Sequence, residues 1–157
     1  MIGLALTWPS TARGTIIEQY AAAEAMRHGY RVLVPLLDLD GVDLYIINSR
    51  GELVSAQVKT AALDKRNGKT WSCPLTSSSP HVRRDGTRRT DYQRRCEVDV
   101  FIAITADFEI VWVVPNAAVP DQKRSVTLRE RWRERWTVID SISAYRVAKF
   151  GARASPP

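Results

Sequence analysis

Residues 42–60 read VDLYIINSRGELVSAQVKT. Two runs of apolar and β-branched residues flank the turn-forming residues Ser-Arg-Gly, so the pattern predicts a β-hairpin. Side chains alternate between the two faces of a strand. We therefore expect Asp43 to point away from the apolar face of the first strand, and Gln57 and Lys59 to lie on one face of the second. If the hairpin brings these polar sides together, a carboxylate, a carboxamide and an ammonium group converge on one spot. Such a spot requires either solvent or a function.

The length and composition indicate one soluble domain over residues 1–157. A chain of this size buries about 70% of its unfolded surface without a disulfide or a structural metal. The longest early apolar run, residues 2–6, is too short for a membrane span and lacks the basic start of a secretion signal. We therefore expect a cytoplasmic protein without membrane contact. Cys73 and Cys96 lack CxxC spacing; they could pair, but free thiols are the favoured reading.

The net charge of +6 is concentrated in one segment, the basic loop at residues 64–95. This loop carries nine lysines and arginines against three aspartates, whereas acidic and basic residues balance in the rest of the chain. A polyanion fits such a patch, and nucleic acid is the commonest polyanion in a cytosol. A solvated loop kept soluble by its charges is the alternative. The candidate nucleic-acid-binding residues are Lys65, Arg66, Lys69, Arg83, Arg84, Arg88 and Arg89.

A helix is predicted before the hairpin, over residues 12–27, with Ser10 or Thr11 as its N-cap. Its only carboxylates are Glu18 and Glu24. They lie six residues apart and therefore on different faces, so one can point inward while the other is solvated.

The remaining pattern predicts an α/β fold with a central mixed sheet of about five strands flanked by helices. The right-handed crossover rule lets the strand at residues 98–105 return parallel to the second hairpin strand. The other expected segments are strands at 30–35 and 109–114, loop at 64–90 with a short strand at 70–73, a short helix or turn at 91–97, a helical stripe of Leu128, Trp132 and Trp136, a last strand or turn at 138–147, and a frayed tail from 151.

The polar side of the hairpin has the parts of a metal-assisted hydrolytic site. A carboxylate such as Asp43, with a neighbouring oxygen ligand, can hold Mg²⁺. Lys59 can then orient a metal-activated water or stabilise the transition state of phosphodiester hydrolysis. A carboxylate from the first helix, with Glu18 the better candidate, would complete the site. The structural alternatives are a turn role for Asp43, a solvated sheet face for Gln57 and Lys59, and a surface position for Glu18.

The order of several segments also resembles a known family. A helix bearing a glutamate is followed by GYRVLVP, GVDLYI and SAQVKT, and later by EVDVFIAIT and EIVWVVP. This arrangement, over roughly residues 14–115, resembles the PD-(D/E)xK nuclease superfamily, in particular small endonucleases related to group I intron homing endonucleases. Holliday-junction resolvases are more distant relatives.

The resemblance implies a restriction-endonuclease-like core, Mg²⁺ as cofactor with Mn²⁺ as a substitute, and hydrolysis of DNA phosphodiester bonds. Matched by position, Asp43 takes the place of the metal-binding aspartate, Lys59 that of the catalytic lysine, and Glu18 that of the acid on the first helix. Gln57 departs from the pattern, because the family usually has Asp or Glu there. The intron-endonuclease branch tolerates glutamine, although an amide binds a hard cation less strongly than a carboxylate does.

The function expected from the sequence is therefore a Mg²⁺-dependent DNA endonuclease with Asp43, Gln57, Lys59 and Glu18 as site residues. One alternative is a nuclease-fold DNA-binding protein with weak or no cleavage, and another is a small domain whose basic loop binds a different acidic partner. Because one site cuts one strand, double-strand cleavage would call for a homodimer or larger homo-oligomer. The sequence leaves open whether Asp99 is a further acidic ligand or a structural residue.

Overall fold

Ten strands and two helices form the part of the chain that the computed structural model describes, residues 9–36, 41–65, 67–75, 78–82, 88–92, 98–120 and 123–150. The helices are α1 (Ser10–Arg27) and α2 (Ile142–Phe150). The strands are β1 (Arg31–Leu33), β2 (Leu44–Ile47), β3 (Leu53–Thr60), β4 (Ala62–Leu63), β5 (Trp71–Pro74), β6 (Ser78–Val82), β7 (Arg88–Tyr92), β8 (Val100–Ile104), β9 (Val111–Pro115) and β10 (Ser125–Leu128).

The central sheet has five strands in the order β1-β2-β3-β8-β9. Strands β3 and β8 are parallel, and the other neighbouring pairs are antiparallel. The sheet is therefore mixed, as the sequence predicts, and the predicted parallel return after the hairpin is confirmed. Gly51 has a φ of +80° in the hairpin turn, a conformation that glycine adopts without steric cost.

Each face of the sheet packs into its own core. The first core joins α1 to the apolar side of the hairpin and includes Ile17, Ala21, Leu44, Val54, Ala56 and Val58. The second core lies on the opposite face and includes Phe101, Ala103, Trp112, Cys73 and Trp132. The alternation predicted for β3 is confirmed, because Val54, Ala56 and Val58 all belong to the first core while Gln57 and Lys59 project toward the second.

The segment after the hairpin holds more regular structure than its composition suggests. Strands β10, β5 and β4 form a three-stranded sheet, and β6 pairs with β7 in a separate hairpin. The predicted strand at residues 70–73 corresponds to β5, but the loop expected over 64–90 also contains most of two further strands. A helix or turn at 91–97 is wrong for Asp91 and Tyr92, which belong to β7, and residues 93–97 lie outside the described part. The strong turn-forming composition concealed strands that are only five residues long.

The stripe of Leu128, Trp132 and Trp136 is not helical. Leu128 ends β10, and two short 3-10 turns follow at Glu130–Trp132 and Trp136–Val138. Trp132 is buried in the second core and Trp136 in the first, so the two indole rings face opposite sides of the sheet. One face of a helix cannot supply both cores, and tertiary packing therefore overrides the helical spacing.

Both chain ends of the described fold differ from expectation. Helix α1 starts at Ser10 with Pro9 at the N-cap position, so the predicted caps Ser10 and Thr11 lie inside the helix. The last strand or turn expected at 138–147 is instead the end of a 3-10 turn followed by α2. The tail from residue 151 lies outside the described part. No helix among the described residues is long and apolar enough to cross a membrane.

Candidate active site

Asp43 is fixed at the point where the chain enters β2. Its backbone N–H donates to the carbonyl of Ala56 at 3.0 Å, and its Oδ2 accepts a hydrogen bond from the N–H of Val58 at 2.6 Å. Val58 lies between Gln57 and Lys59 in β3. The carboxylate is therefore held against the part of β3 that carries the other two polar residues of the hairpin.

Gln57 is almost completely buried, with 1% of its surface exposed. Leu44 pairs with Ala56 across β2 and β3, and extending that register by one residue sets Asp43 opposite Gln57. The Nε2 of Gln57 donates to the carbonyl of Gly41 at 3.0 Å. This bond orients the carboxamide, because it turns the nitrogen toward the loop before β2. Oε1 is then the atom of this side chain that can bind a cation.

Lys59 is half-buried and lies two residues beyond Gln57 on the same side of β3. Its neighbour across the parallel strand is Ala103. Burial raises the pKa of the Cys73 thiol to about 12, although the positive charge of Lys59 acts in the opposite direction. Cys73 is a free, buried thiol, as the sequence predicts, and at neutral pH it stays protonated and unreactive. Cys96 lies outside the described residues.

Asp43, Gln57 and Lys59 are therefore brought together by adjacent strands. Similarity to known proteins shows the family of the chain. The family model of the PD-(D/E)XK endonuclease matches residues 10–148. The chain belongs to the PD-(D/E)XK endonuclease family. Among solved structures, the bacterial homing endonuclease I-Ssp6803I is similar, with 24% sequence identity and a TM-score of 0.67 over 87% of this chain and 97% of that chain. No curated protein sequence matches the chain.

These comparisons confirm the resemblance and the fold expected from the sequence. The endonuclease has the mixed sheet and flanking helices of that structure, and the family match extends from α1 into α2. Nucleases of the PD-(D/E)XK family generally use divalent metal ions. The carboxylate of Asp43 and the amide oxygen of Gln57 are both hard oxygen donors, which suit Mg²⁺. Within the described ranges, no group of three or more His, Cys, Asp or Glu side chains forms a metal site.

Glu18 of the endonuclease lies on α1, which packs on the first core rather than on the side of Gln57 and Lys59. Its side chain is half-buried, and its Oε1 lies 3.7 Å from the position that a Cβ would take at Gly14. Glu24 is the inward carboxylate of α1, 8% exposed and paired with Arg27 at 2.8 Å. Glu24 is therefore the more buried of the two carboxylates, although the sequence favours Glu18 for the site, and the place of Glu18 in the site stays a prediction.

Asp99 is held by structural partners. Its Oδ2 accepts hydrogen bonds from the N–H and the hydroxyl of Ser55 at 2.9 Å, and it forms an ion pair with Arg146 at 2.7 Å. Burial alone would raise the pKa of Asp99, but the bonds from Arg146 and Ser55 outweigh it and hold the pKa below its usual value. These contacts tie α2 to β3 and favour the structural role for this aspartate.

The predicted nucleic-acid-binding residues are spread over the segment after β4. Lys65 and Lys69 are exposed in the turn between β4 and β5. Arg88 and Arg89 belong to β7, where their backbone pairs with β6. The remaining three, Arg66, Arg83 and Arg84, lie outside the described residues.

The sequence did not single out a second group of basic residues beside β10. Arg129, Arg131, Arg133 and Arg135 are all exposed, in the segment where a helix is expected. Their signal in the sequence is the alternation of charge in RERWRERW, but the acidic and basic residues outside the basic loop balance in number. A charge count therefore conceals the cluster.

Proposed function

We propose that this PD-(D/E)XK endonuclease is a Mg²⁺-dependent deoxyribonuclease that hydrolyses phosphodiester bonds at the β2–β3 hairpin. The observation that carries the proposal is the pairing of Asp43 with Gln57 across two strands, with Lys59 on the same side of β3. A carboxylate, an oxygen ligand and a cation next to one another are the parts that phosphodiester hydrolysis requires.

Asp43 and Gln57 are the residues that would hold the metal ion. A further carboxylate from Glu18 stays a prediction from the sequence, because α1 packs on the opposite face of the sheet from Gln57. The hydrogen bond from Val58 fixes one carboxylate oxygen of Asp43, and the bond to Gly41 fixes the amide of Gln57. When bound, Mg²⁺ supplies a coordinated water of lowered pKa and neutralises charge on the phosphate. With an amide in place of a second carboxylate, the protein supplies less negative charge, so binding of the ion is weaker.

Lys59 supplies the positive charge of the site. Its ammonium group is available because it forms no ion pair with any residue in the described ranges. We assign it the orientation of the attacking water and the stabilisation of charge that builds on the phosphate oxygens. The partly buried position strengthens this effect, since electrostatic interactions are less screened there than in bulk water.

The DNA partner is supported by the charge distribution. The net charge is +6, and Lys65 and Lys69 are exposed on the turn between β4 and β5, shortly after the two strands of the site. DNA backbone binding draws mainly on such basic side chains. Cleavage of both strands would require a homo-oligomer, a dimer or larger, because one site hydrolyses one strand.

A cleavage assay tests the proposal. Supercoiled plasmid and branched DNA are incubated with Mg²⁺ or Mn²⁺ and with wild type, Lys59→Ala, or Lys123→Ala as a control at an exposed lysine. We expect wild type and Lys123→Ala to cleave, and Lys59→Ala to lose activity roughly 100-fold or more. Cleavage that is unaffected by Lys59→Ala would end the proposal.

Gln57 favours one competing function, a nuclease-fold DNA-binding protein with weak or no cleavage. Its amide is buried and already engaged with Gly41, so position 57 does not supply the second carboxylate that tight metal binding needs. This alternative predicts salt-dependent DNA binding that does not change with divalent ions, together with no product in the assay above.

A further inference from the structure

We propose that a groove at the β9 edge of the sheet, lined by Arg131 and Arg135, binds the phosphate backbone of the DNA. This inference rests on the proposed function and adds a contact surface that lies apart from the basic loop. The groove has a volume of about 230 Å³ and is bounded by Ala118, Arg131, Trp132, Arg135, Val138 and Tyr145.

The arginines of the groove are available for a ligand. Arg131 and Arg135 are exposed, and neither forms an ion pair or a side-chain hydrogen bond with another residue in the described ranges. The two neighbouring carboxylates are engaged elsewhere. Glu130 pairs with Arg133 at 3.5 Å, and the Oε1 of Glu134 accepts a hydrogen bond from the N–H of Val111 at 3.0 Å. The local positive charge is therefore not cancelled within the segment.

The groove is also shaped for a planar cation to meet an anion. The guanidinium of Arg131 lies 4.3 Å from the ring centroid of Trp132, whose side chain is anchored in the second core. Stacking on a fixed indole limits the conformations of the arginine and orients its N–H groups. Guanidinium groups held in this way bind phosphate through two parallel hydrogen bonds.

Cross-strand register relates the groove to the candidate active site. Lys59 pairs with Ala103, Ala103 with Trp112, and Trp112 with Arg133. Three strand spacings separate Lys59 from Arg133, which amounts to roughly 14 Å. Arg131 and Arg135 lie two residues to either side of Arg133. Since DNA rises about 3.4 Å per base pair, this distance is about four base-pair steps, within the reach of one bound duplex.

Salt-dependent binding tests the groove. Fluorescence anisotropy with two DNA duplexes of unrelated sequence, in chelator, gives the slope of log K against log salt from about 50 to 200 mM. We expect the Arg131→Gln/Arg135→Gln variant to reduce the slope by about 1.8 and to weaken binding roughly 60-fold at about 0.1 M salt, equally for both duplexes. An Arg131→Lys/Arg135→Lys variant keeps the charge and should keep most of the slope.

The matched control removes the same charge elsewhere. Arg31 and Arg50 are exposed, on β1 at the other edge of the sheet and in the hairpin turn, and Arg31→Gln/Arg50→Gln should leave the slope unchanged. An equal reduction of the slope in this control would overturn the groove as a specific contact. The same conclusion would follow if R131Q/R135Q weakened the binding of RNA or polyglutamate but not of DNA. Wild type that binds and cleaves DNA, with an unchanged slope in R131Q/R135Q, would overturn the groove alone. Wild type that binds no DNA would defeat the proposed function itself.

Discussion

The Oδ2 of Asp43 accepts a hydrogen bond of 2.6 Å from the backbone N–H of Val58, the residue between Gln57 and Lys59. One side chain thus satisfies a strand donor and also holds the carboxylate beside the other two polar residues. The structural and proposed catalytic roles of Asp43 reside in different properties, its acceptor oxygen and its charge.

Substitutions at Asp43 separate these two roles. In Asp43→Asn the amide oxygen still accepts from Val58, so we expect near wild-type stability together with a loss of cleavage of roughly 100-fold or more. In Asp43→Ala the N–H of Val58 loses its partner, which should lower the free energy of unfolding by about 1–3 kcal/mol. Urea unfolding and plasmid cleavage of both variants measure the two effects. Equal stability of the two variants would contradict the role of this hydrogen bond.

Gln57→Glu tests the weakened metal site. The new carboxylate cannot donate to the carbonyl of Gly41, so without divalent ions we expect a loss of about 1–3 kcal/mol in stability. A bound divalent ion would offset this loss, and half-maximal cleavage should occur at a roughly ten-fold lower Mg²⁺ concentration. Melting curves with Mg²⁺ and with chelator, combined with a Mg²⁺ titration of cleavage, check both statements. If Mg²⁺ did not change the stability of Gln57→Glu, the metal ion would have to bind at a site away from residue 57.

The Asp99–Arg146 ion pair should make stability depend on pH. Because the folded pKa of Asp99 lies below its ordinary 3.8, the contribution is complete above about pH 3.8 and is lost as the pH falls through the folded pKa. At pH 7 we expect Arg146→Gln to cost about 2 kcal/mol, and we expect the gap from wild type to narrow in acid. Urea unfolding from neutral pH downward measures this gap. Arg129→Gln, at an exposed arginine, serves as control, and a gap that widens in acid would be inconsistent with the pair.

Cys73 should resist alkylation in the folded protein. Burial raises the pKa of its thiol to about 12, so at pH 8 only about one molecule in ten thousand carries the reactive thiolate. Iodoacetamide labelling followed by peptide mapping should find Cys73 unmodified in the native protein and modified in urea. Rapid native labelling would show that the second core opens readily.

The hairpin could be predicted from the sequence because its information is local. A period of two over residues 42–60 places Val54 and Val58 on one side and Gln57 and Lys59 on the other. The first core contains the two valines, whereas the strand neighbours of Gln57 and Lys59 belong to the second core. The parallel return of β8 follows from chain topology. The bonds from Asp43 to Val58 and from Gln57 to Gly41 depend on how the chain enters β2, which no periodicity records.

Trp132 and Trp136 show why the remainder could not be predicted. Their spacing fits a helix, but the chain turns at Glu134, which has a φ of +49°, and delivers the two rings to different cores. The sequence contains no glycine at this turn to announce it. The arginine groove could not be predicted for the same reason, because its shape depends on the two 3-10 turns that replace the expected helix.

The backbone bridge between Trp112 and Arg133 also has a consequence for the edges of the sheet. The segment after β10 lies along β9 and occupies bonding groups that an exposed edge strand would offer to another chain. At the opposite edge, β1 has only three residues, and Arg31 is exposed on it. Short, charged edge strands are poor templates for strand addition. The central sheet is therefore protected against pairing with strands of other chains. The segment after β10 covers the β9 edge, and the short, charged β1 disfavours pairing at the opposite edge.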